Sequence, residues 1–395
     1  MSEALAVPPP AKRTPGLSLL KAALVSLPML LLTAFMLIGS QGGIPSRAPE
    51  ALALLITFLG VNVLFFLMAK TGKTDRYRAI LFVTAAVAFV ISFIPNLLET
   101  RGSMGLTEEE MLRGRTPMCH MVIPTVIIPA ALTKTIVFPG TLLGNFAPIA
   151  GMFVIWLGAT VALGRGFCSW GCFCGGLEDG LSRGRRRTAL RNISERWTYM
   201  PYAVLGSVVI LSALSFTPVY CMWLCPFKTV SEYVAVTDFR TQLQAVIFLA
   251  LFFGLVVVLP ILSRRRTQCG LFCPMGAFQG FFNKTNLFEV KVDQDKCSDC
   301  AHCTRTCPTF SIDKASLARG GTRISCSKCG KCVDDCPKGA ATFHIKGTPL
   351  TLGNKSARLL FLYPAVLFLI TFNGGMIQDA LRRLYLLVST GSLLR

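Results

Sequence analysis

The sequence predicts a mainly α-helical membrane protein of about seven spans, with a small polar α+β module inserted before the last span. Of its 395 residues, 52% are hydrophobic and only 15% are charged, whereas a soluble domain carries about a quarter charged residues. The apolar residues form runs close to the ~20 residues that cross a bilayer. One stretch, 287–350, is polar and rich in cysteine instead. Membrane lipid is therefore expected around most of the chain.

Seven apolar runs define the expected spans. The first is expected to remain as a span rather than to be removed as a signal peptide, because it is long and lacks an A-x-A-like cleavage site. The stretch 118–139 is apolar but broken by prolines, which predicts a re-entrant or interfacial segment, with a kinked span as the alternative. Residues after 377 are predicted to form an amphipathic surface helix. The runs are 17–38, 51–69, 79–98, 144–163, 199–219, 243–262 and 359–377.

The basic residues are distributed unevenly about these runs. The formal net charge is +20, and most arginines and lysines near the spans fall on one side of the predicted topology. Such a bias marks the cytoplasmic face of an integral membrane protein, so residues 287–350 are predicted to face the cytoplasm as well. Because the charges lie beside apolar runs rather than along one polar surface, we expect no nucleic-acid partner.

Two cysteine motifs stand in tandem in the polar stretch, CSDCAHCTRTCP (297–308) and CSKCGKCVDDCP (326–337). Each reads C-x2-C-x2-C-x3-C-P, the spacing that binds a [4Fe–4S] cluster in two-cluster ferredoxins, where the fourth cysteine ligates the other cluster. Zinc would not require the third cysteine or the C-P step, and disulfides are disfavoured in the cytoplasm. The predicted ligand sets are therefore Cys297, Cys300, Cys303 and Cys336 for one cluster, and Cys326, Cys329, Cys332 and Cys307 for the other.

Three C-x3-C pairs lie where predicted spans end. Two of them fall on the predicted cytoplasmic side and together offer four thiolates for a third iron–sulfur cluster, with packed or redox-active thiols as the alternative. The third pair falls on the opposite face with Cys119 and His120, where a metal site, a redox site or a disulfide is open. Cys174 has no assigned role. The first two pairs are Cys168/Cys172 and Cys269/Cys273, and the third is Cys221/Cys225.

These patterns divide the chain into four parts. An N-terminal membrane segment with three spans and the proline-broken stretch is followed by a core membrane domain with the three C-x3-C pairs. A ferredoxin-like domain for two [4Fe–4S] clusters comes next, before a C-terminal span and surface helix. The expected boundaries are 1–140, 141–286, 287–350 and 351–395.

The ordered motifs resemble those of the membrane-bound polyferredoxins of the NapH, NosR and CcoG type. The matching stretches are GRGFCSWGC, TPVYCMWLCPF and RRRTQCGLFCPMGAFQGFF, followed by the tandem motifs. The resemblance implies a protein of a bacterial-type inner membrane, a partner protein in a respiratory-type complex and a role for a quinone. One departure is Phe173, which stands where the family pattern has proline after the cysteine.

The function expected from the motifs and the resemblance is electron transfer. The chain would pass electrons between a quinol or a cytoplasmic donor and a partner redox protein, as a component of an oxidoreductase. No catalytic residue is predicted. The alternative is an assembly or maturation factor that reduces a metal or a disulfide on a partner respiratory protein.

Overall fold

The computed structural model describes residues 16–39, 43–102, 105–106, 123–134, 149–185, 187–190, 193–230, 233–234, 236–349 and 354–394. Within these ranges, seven helical stretches are long and apolar enough to cross a membrane, and little sheet is present. The mainly helical fold with about seven spans is therefore confirmed. The seven stretches are Leu19–Gly39, Ala48–Thr71, Thr74–Thr100, Phe153–Trp170, Glu195–Ser215, Phe239–Ser263 and Ser356–Thr390.

One bundle consists of the first three helices and the last. Pro49 stands in the first turn of the second helix, and Gly72 ends that helix in the left-handed conformation (φ 76°), as helix-end rules favour. Phe65 and Phe361 lie in the buried core between the helices. The four helices are α1 (Leu19–Gly39), α2 (Ala48–Thr71), α3 (Thr74–Arg101) and α16 (Asn354–Thr390).

The central part of the chain contains longer helices and several short ones that carry or follow cysteines. α9 continues through a π-helical stretch, 252–258, into α10, so the three pieces form one long rod. A second π-helical turn covers 220–224. The helices are α4 (Ile123–Thr133), α5 (Ile149–Leu163), α6 (Phe167–Trp170), α7 (Phe173–Arg183), α8 (Met200–Ser215), α9 (Phe239–Leu251), α10 (Leu259–Ser263), α11 (Thr267–Leu271) and α12 (Pro274–Phe282).

Two segments turn back along this rod from its opposite ends. After α10, Arg264 adopts a left-handed conformation (φ 58°), and the Thr267 hydroxyl donates to Leu255 O at 2.5 Å. Since Leu255 lies eight residues before the end of α10, α11 begins about 12 Å back along the rod. From the other end, the ring of Phe227 packs on that of Phe252 with centroids 6.4 Å apart. Both segments therefore meet on the π-helical stretch.

The polar module lies between the sixth and seventh spans. Its two strands pair antiparallel in the register Phe288↔Ile345, and an Asp313–Ser316 capping box starts one of its helices. A separate pair of two-residue strands, β1 (Gly105–Leu106) and β2 (Tyr233–Val234), is parallel. The module contains β3 (Phe288–Val292), α13 (His302–Thr306), α14 (Lys314–Ala318), α15 (Lys331–Asp334) and β4 (Ala341–Ile345).

The chain end differs from the expectation of a separate surface helix. α16 continues without a break from the membrane run to Thr390. The reason is that Arg383 is buried, where its guanidinium pairs with the carboxylates of Glu99 at 2.9 Å and Asp379 at 2.7 Å. Of the stretch 118–139, the structure describes α4 and Lys134 alone, so its predicted re-entrant course stays a prediction.

Candidate iron–sulfur sites

A narrow cavity lies between the short helices of the central part. We call it the membrane cavity. The aromatic rings of Phe167 and Phe227 form part of its apolar wall, together with Met275. Five cysteines line it: Cys168, Cys172, Cys174, Cys269 and Cys273.

The same local design places both cysteine pairs at this cavity. In each pair the first cysteine lies on a four- or five-residue helix, and the second is the N-cap residue of the next helix, which begins at once. The N-cap position directs the thiol toward the backbone N–H groups of the first turn. At Cys273, the Gly276 N–H donates to Sγ at 3.4 Å. Four thiols of predicted ligands are thus brought together from α6, α7, α11 and α12.

Glu178 fixes the two pairs relative to each other. Its fully buried carboxylate accepts hydrogen bonds from the backbone N–H groups of Gln268 at 2.6 Å and Cys269 at 2.9 Å. Removal from water raises the pKa of Glu178 to about 7. The contact ties α7 to α11, so the cavity has a defined width.

The Cys221/Cys225 pair also reaches this region. Cys225 is buried in the same hydrophobic cluster as Cys172, Cys174 and Cys273. The neighbouring Tyr220 hydroxyl accepts a hydrogen bond from Gln268 Nε2 at 3.1 Å. The topology from charge counting placed this pair on the face opposite the other two, and the structure instead brings the three pairs together. The physical reason is the return of both segments along the rod. Cys119 and His120 lie outside the described residues.

In the polar module, a second narrow cavity is lined by Cys297, Cys300, Cys303 and Cys336. We call these four thiols the exposed site, because Cys300 is exposed. Cys336 comes from the second motif, as the crossed assignment requires. The Ala340 N–H donates to Cys336 Sγ at 3.2 Å, which suits a thiolate acceptor.

The remaining four thiols of the module also lie together, and we call them the docked site. They are those of Cys307, Cys326, Cys329 and Cys332. Burial, followed by the neighbouring thiols of Cys326, Cys329 and Cys307, raises the pKa of Cys332 well above its usual value. The Ser311 N–H donates to Cys307 Sγ at 3.2 Å. The crossed partner is thus present here as well.

The loop Cys326–Cys332 faces the membrane part of the chain. The ammonium of Lys328 donates to Leu163 O at 2.9 Å, Asn283 Oδ1 at 2.7 Å and Asn286 Oδ1 at 2.8 Å. Trp170 Nε1 donates to the Lys328 carbonyl at 3.3 Å. The docked site therefore lies between the exposed site and the membrane cavity.

A second anchor joins the module to the start of α3. The carboxylate of Asp334 accepts hydrogen bonds from the backbone N–H groups of Thr74 at 3.1 Å and Asp75 at 2.7 Å. These are orphan donors of a helix N-terminus, which favours a carboxylate partner. The docked loop is thus held from two sides.

The spacing of the thiols matters for the kind of metal. In the part of the chain that the structure describes, no group of three or more His, Cys, Asp or Glu side chains is arranged around a single ion. A structural zinc ion draws its four ligands to ~2.3 Å from one centre. In a cubane cluster each thiolate binds a different iron, so the sulfurs lie farther apart. Each set of four cysteines includes a thiol that accepts a hydrogen bond from a backbone N–H, which fits thiolate ligands of a cluster.

Comparison with known proteins gives the same chemistry. A family model described as a 4Fe-4S binding domain matches residues 145–191, 197–242 and 245–293, and each match contains one C-x3-C pair. Ferredoxin-type protein NapH of Escherichia coli (strain K12) is 28% identical over 201 residues, covering 49% of this chain and 67% of the relative. The chain is thus similar to ferredoxin-type membrane proteins such as NapH.

Two more relatives extend the match. NapH of Haemophilus influenzae is 27% identical over 215 residues, covering 52% of this chain and 69% of the relative. Protein NirI of Paracoccus denitrificans is 25% identical over 331 residues, covering 76% of this chain and 45% of the relative. The chain thus spans about two thirds of the two NapH proteins and less than half of NirI. No solved structure matches it significantly.

The match to a 4Fe-4S binding domain and the seven helices that could cross a membrane support an integral membrane protein with iron–sulfur clusters. Sequence reasoning identified the cysteines but missed the buried side chains that position them, Glu178, Arg165 and Arg266. A signal for the arginines was present, because each lies three residues before the first cysteine of a pair.

Proposed function

We propose that this protein carries electrons along three iron–sulfur clusters, from the exposed site through the docked site to the membrane cavity, or in reverse. The exposed site and the docked site would each hold a [4Fe–4S] cluster with the crossed ligand sets. Cys168, Cys172, Cys269 and Cys273 would hold the third cluster.

The membrane cavity carries this proposal. Its four predicted ligands come from two repeats of one local design, and both repeats fall within matches to a 4Fe-4S binding domain. A cluster there would be shielded from water, which shifts its potential relative to the exposed site. Cys174 lines the same cavity and stays outside the ligand set, because its place in the chain has no counterpart in the second repeat.

The order of the three sites suggests where partners bind. Cys300 is exposed, so a soluble redox protein would exchange electrons at the exposed site, which we place in the cytoplasm from the charge bias. At the other end, a quinol or a partner protein of a respiratory-type complex would exchange electrons with the membrane cavity. The assembly-factor alternative is disfavoured, since it relies on an accessible outer thiol pair and Cys225 is buried.

The test is the cluster content of the purified full-length protein. Three clusters correspond to about twelve iron atoms and twelve sulfides per chain. The variant in which Cys168, Cys172, Cys269 and Cys273 are all replaced by alanine is expected to hold about eight of each. Electron paramagnetic resonance during a redox titration should lose one signal and keep two.

Cys174→Ala is the matched control, because it removes a thiol from the same cavity without removing a proposed ligand. It should retain all three signals. Equal iron content in the wild type and the fourfold variant would show that the membrane cavity holds thiols alone.

A further inference from the structure

Two arginines occupy matching places around the membrane cavity. Each guanidinium crosses to the cysteine pair of the other repeat. Arg165 Nη2 donates to Cys269 O at 2.9 Å, and Arg266 Nη1 donates to Cys168 O at 3.0 Å. Both side chains are buried, with 1% and 0% of their surface exposed. The two repeats are therefore linked reciprocally, because the arginine of each donates to the first cysteine of the other.

Glycines at matching positions make room for both guanidinium groups. A Cβ on Gly175 would lie 2.3 Å from Cys168 O and 3.2 Å from Arg266 Nη1. A Cβ on Gly276 would lie 3.0 Å from both Cys269 O and Arg165 Nη2. All these distances are shorter than ordinary van der Waals contacts of a carbon atom. The glycine in each repeat therefore leaves the space that the guanidinium group of the other repeat occupies.

The symmetry ends at the polar module. Arg266 Nη2 donates to Ser327 Oγ at 2.8 Å, and to Ser169 Oγ at 2.5 Å. Ser327 follows Cys326 directly in the docked loop. In the described part of the chain, the guanidinium of Arg165 makes no such hydrogen bond to the module. Arg266 thus contacts the backbone of one cysteine site and the loop of the next.

The charge of Arg266 is only partly neutralised. Its Nε lies 3.9 Å from Asp179, whose carboxylate is already within 3.1 Å of Arg78 and 3.0 Å of Arg183. Arg78 and Arg183 also share Asp75. Glu178 is a third buried carboxyl group near Arg266, but its oxygens accept hydrogen bonds from the backbone of Gln268 and Cys269. Among these three guanidinium groups, that of Arg266 is therefore the one without a carboxylate at hydrogen-bond distance in the described part of the chain, and water does not screen its charge.

We propose that Arg266 is a positioning residue that electrostatically couples the membrane cavity to the docked site and raises the reduction potential of both. This inference rests on the proposed function, in which both sites hold clusters. Reduction adds one negative charge to a cluster, and a buried cation nearby stabilises that form. Arg165 is expected to act on the membrane cavity alone.

The experiment is a redox titration of the purified full-length protein followed by electron paramagnetic resonance, with iron and sulfide measured in parallel. In Arg266→Gln, the equilibrium constants for one-electron reduction of the clusters at the membrane cavity and the docked site should each fall at least tenfold. For a one-electron couple this lowers the reduction potential by 59 mV. Arg165→Gln should shift the membrane cavity alone. Arg266→Lys retains the charge and should recover most of the shift, which a purely structural role would not predict.

Two results would overturn the proposal. One is an Arg266→Gln protein with full iron content and unchanged potentials, and the other is the same shift in the Lys and Gln variants. If Arg266→Gln loses its clusters, Arg266→Lys replaces it: the retained charge should keep both potentials close to those of the wild type, and a tenfold fall in an iron-replete Lys variant would contradict the electrostatic role. Absence of a third signal in the wild type would contradict the proposed function. The potential of the docked site would then still test whether Arg266 raises it.

Discussion

The two tandem cysteine loops have the same spacing and nearly the same backbone, but opposite surroundings. Asp299 and Lys328 occupy the same position in the motif, with φ of 47° and 50°, and Ala301 and Gly330 also share a left-handed conformation. In the exposed loop, Asp299 lies in solvent, whereas in the docked loop Lys328 is 2% exposed and has three acceptors from the membrane part. The comparison shows that the motif determines how a cluster could be held, and that the residues between the cysteines determine what the loop faces.

The largest expected effect tests whether the two loops exchange their fourth ligands. Cys300→Ser should remove one cluster, about four iron atoms per chain, with one resonance signal. Cys336→Ser should remove the same signal, although Cys336 belongs to the other motif. Cys329→Ser and Cys307→Ser should each remove the second signal. If Cys336→Ser instead removes the signal lost in Cys329→Ser, the crossed assignment is wrong.

The next effect concerns what each loop faces. Lys328→Met removes three hydrogen bonds and leaves buried oxygen acceptors without this donor, so we expect a loss of about 1–3 kcal/mol in the free energy of unfolding. Asp299→Asn, at the matched position in solvent, should change it by less than about 0.5 kcal/mol. The measurement is denaturant unfolding of the cluster-loaded protein in detergent, followed by the visible absorbance of the clusters. Equal losses in the two variants would contradict the docking of the second loop on the membrane part.

Much of this comparison could be predicted from the sequence, because it depends on local patterns. Apolar runs indicated the seven spans, and the tandem spacing indicated which thiols of the module should group. The return of the segments before Phe227 and after Arg264 could not be predicted, since it depends on contacts with the π-helical stretch of the rod. Counting charges assumes that each loop stays at its own membrane face, which is why the Cys221/Cys225 pair was separated from the others.

The buried charges were missed for a similar reason. Arginines beside spans indicate topology under the positive-inside rule, and that rule does not distinguish an arginine in water from one that crosses to another repeat. Arg165 and Arg266 were therefore counted as loop charges. Their positions before the cysteines become informative only once both repeats are seen to face one cavity.

The smallest expected effect concerns the second left-handed residue of each loop, Ala301 and Gly330. A Cβ on Gly330 would lie 3.1 Å from Thr74 Cβ, at the start of the helix on which the docked loop rests. Gly330→Ala therefore combines the cost of the left-handed conformation, φ 86°, with crowding, and should lower the free energy of unfolding by about 1–2 kcal/mol. In the exposed loop the reverse change, Ala301→Gly, removes that conformational cost but makes the unfolded chain more flexible. These contributions nearly cancel, so the expected change is within about 0.5 kcal/mol. The measurement is thermal unfolding of both variants by circular dichroism, compared at equal iron content. If the stability lost in Gly330→Ala is no larger than the change in Ala301→Gly, the contact with Thr74 does not constrain the docked loop.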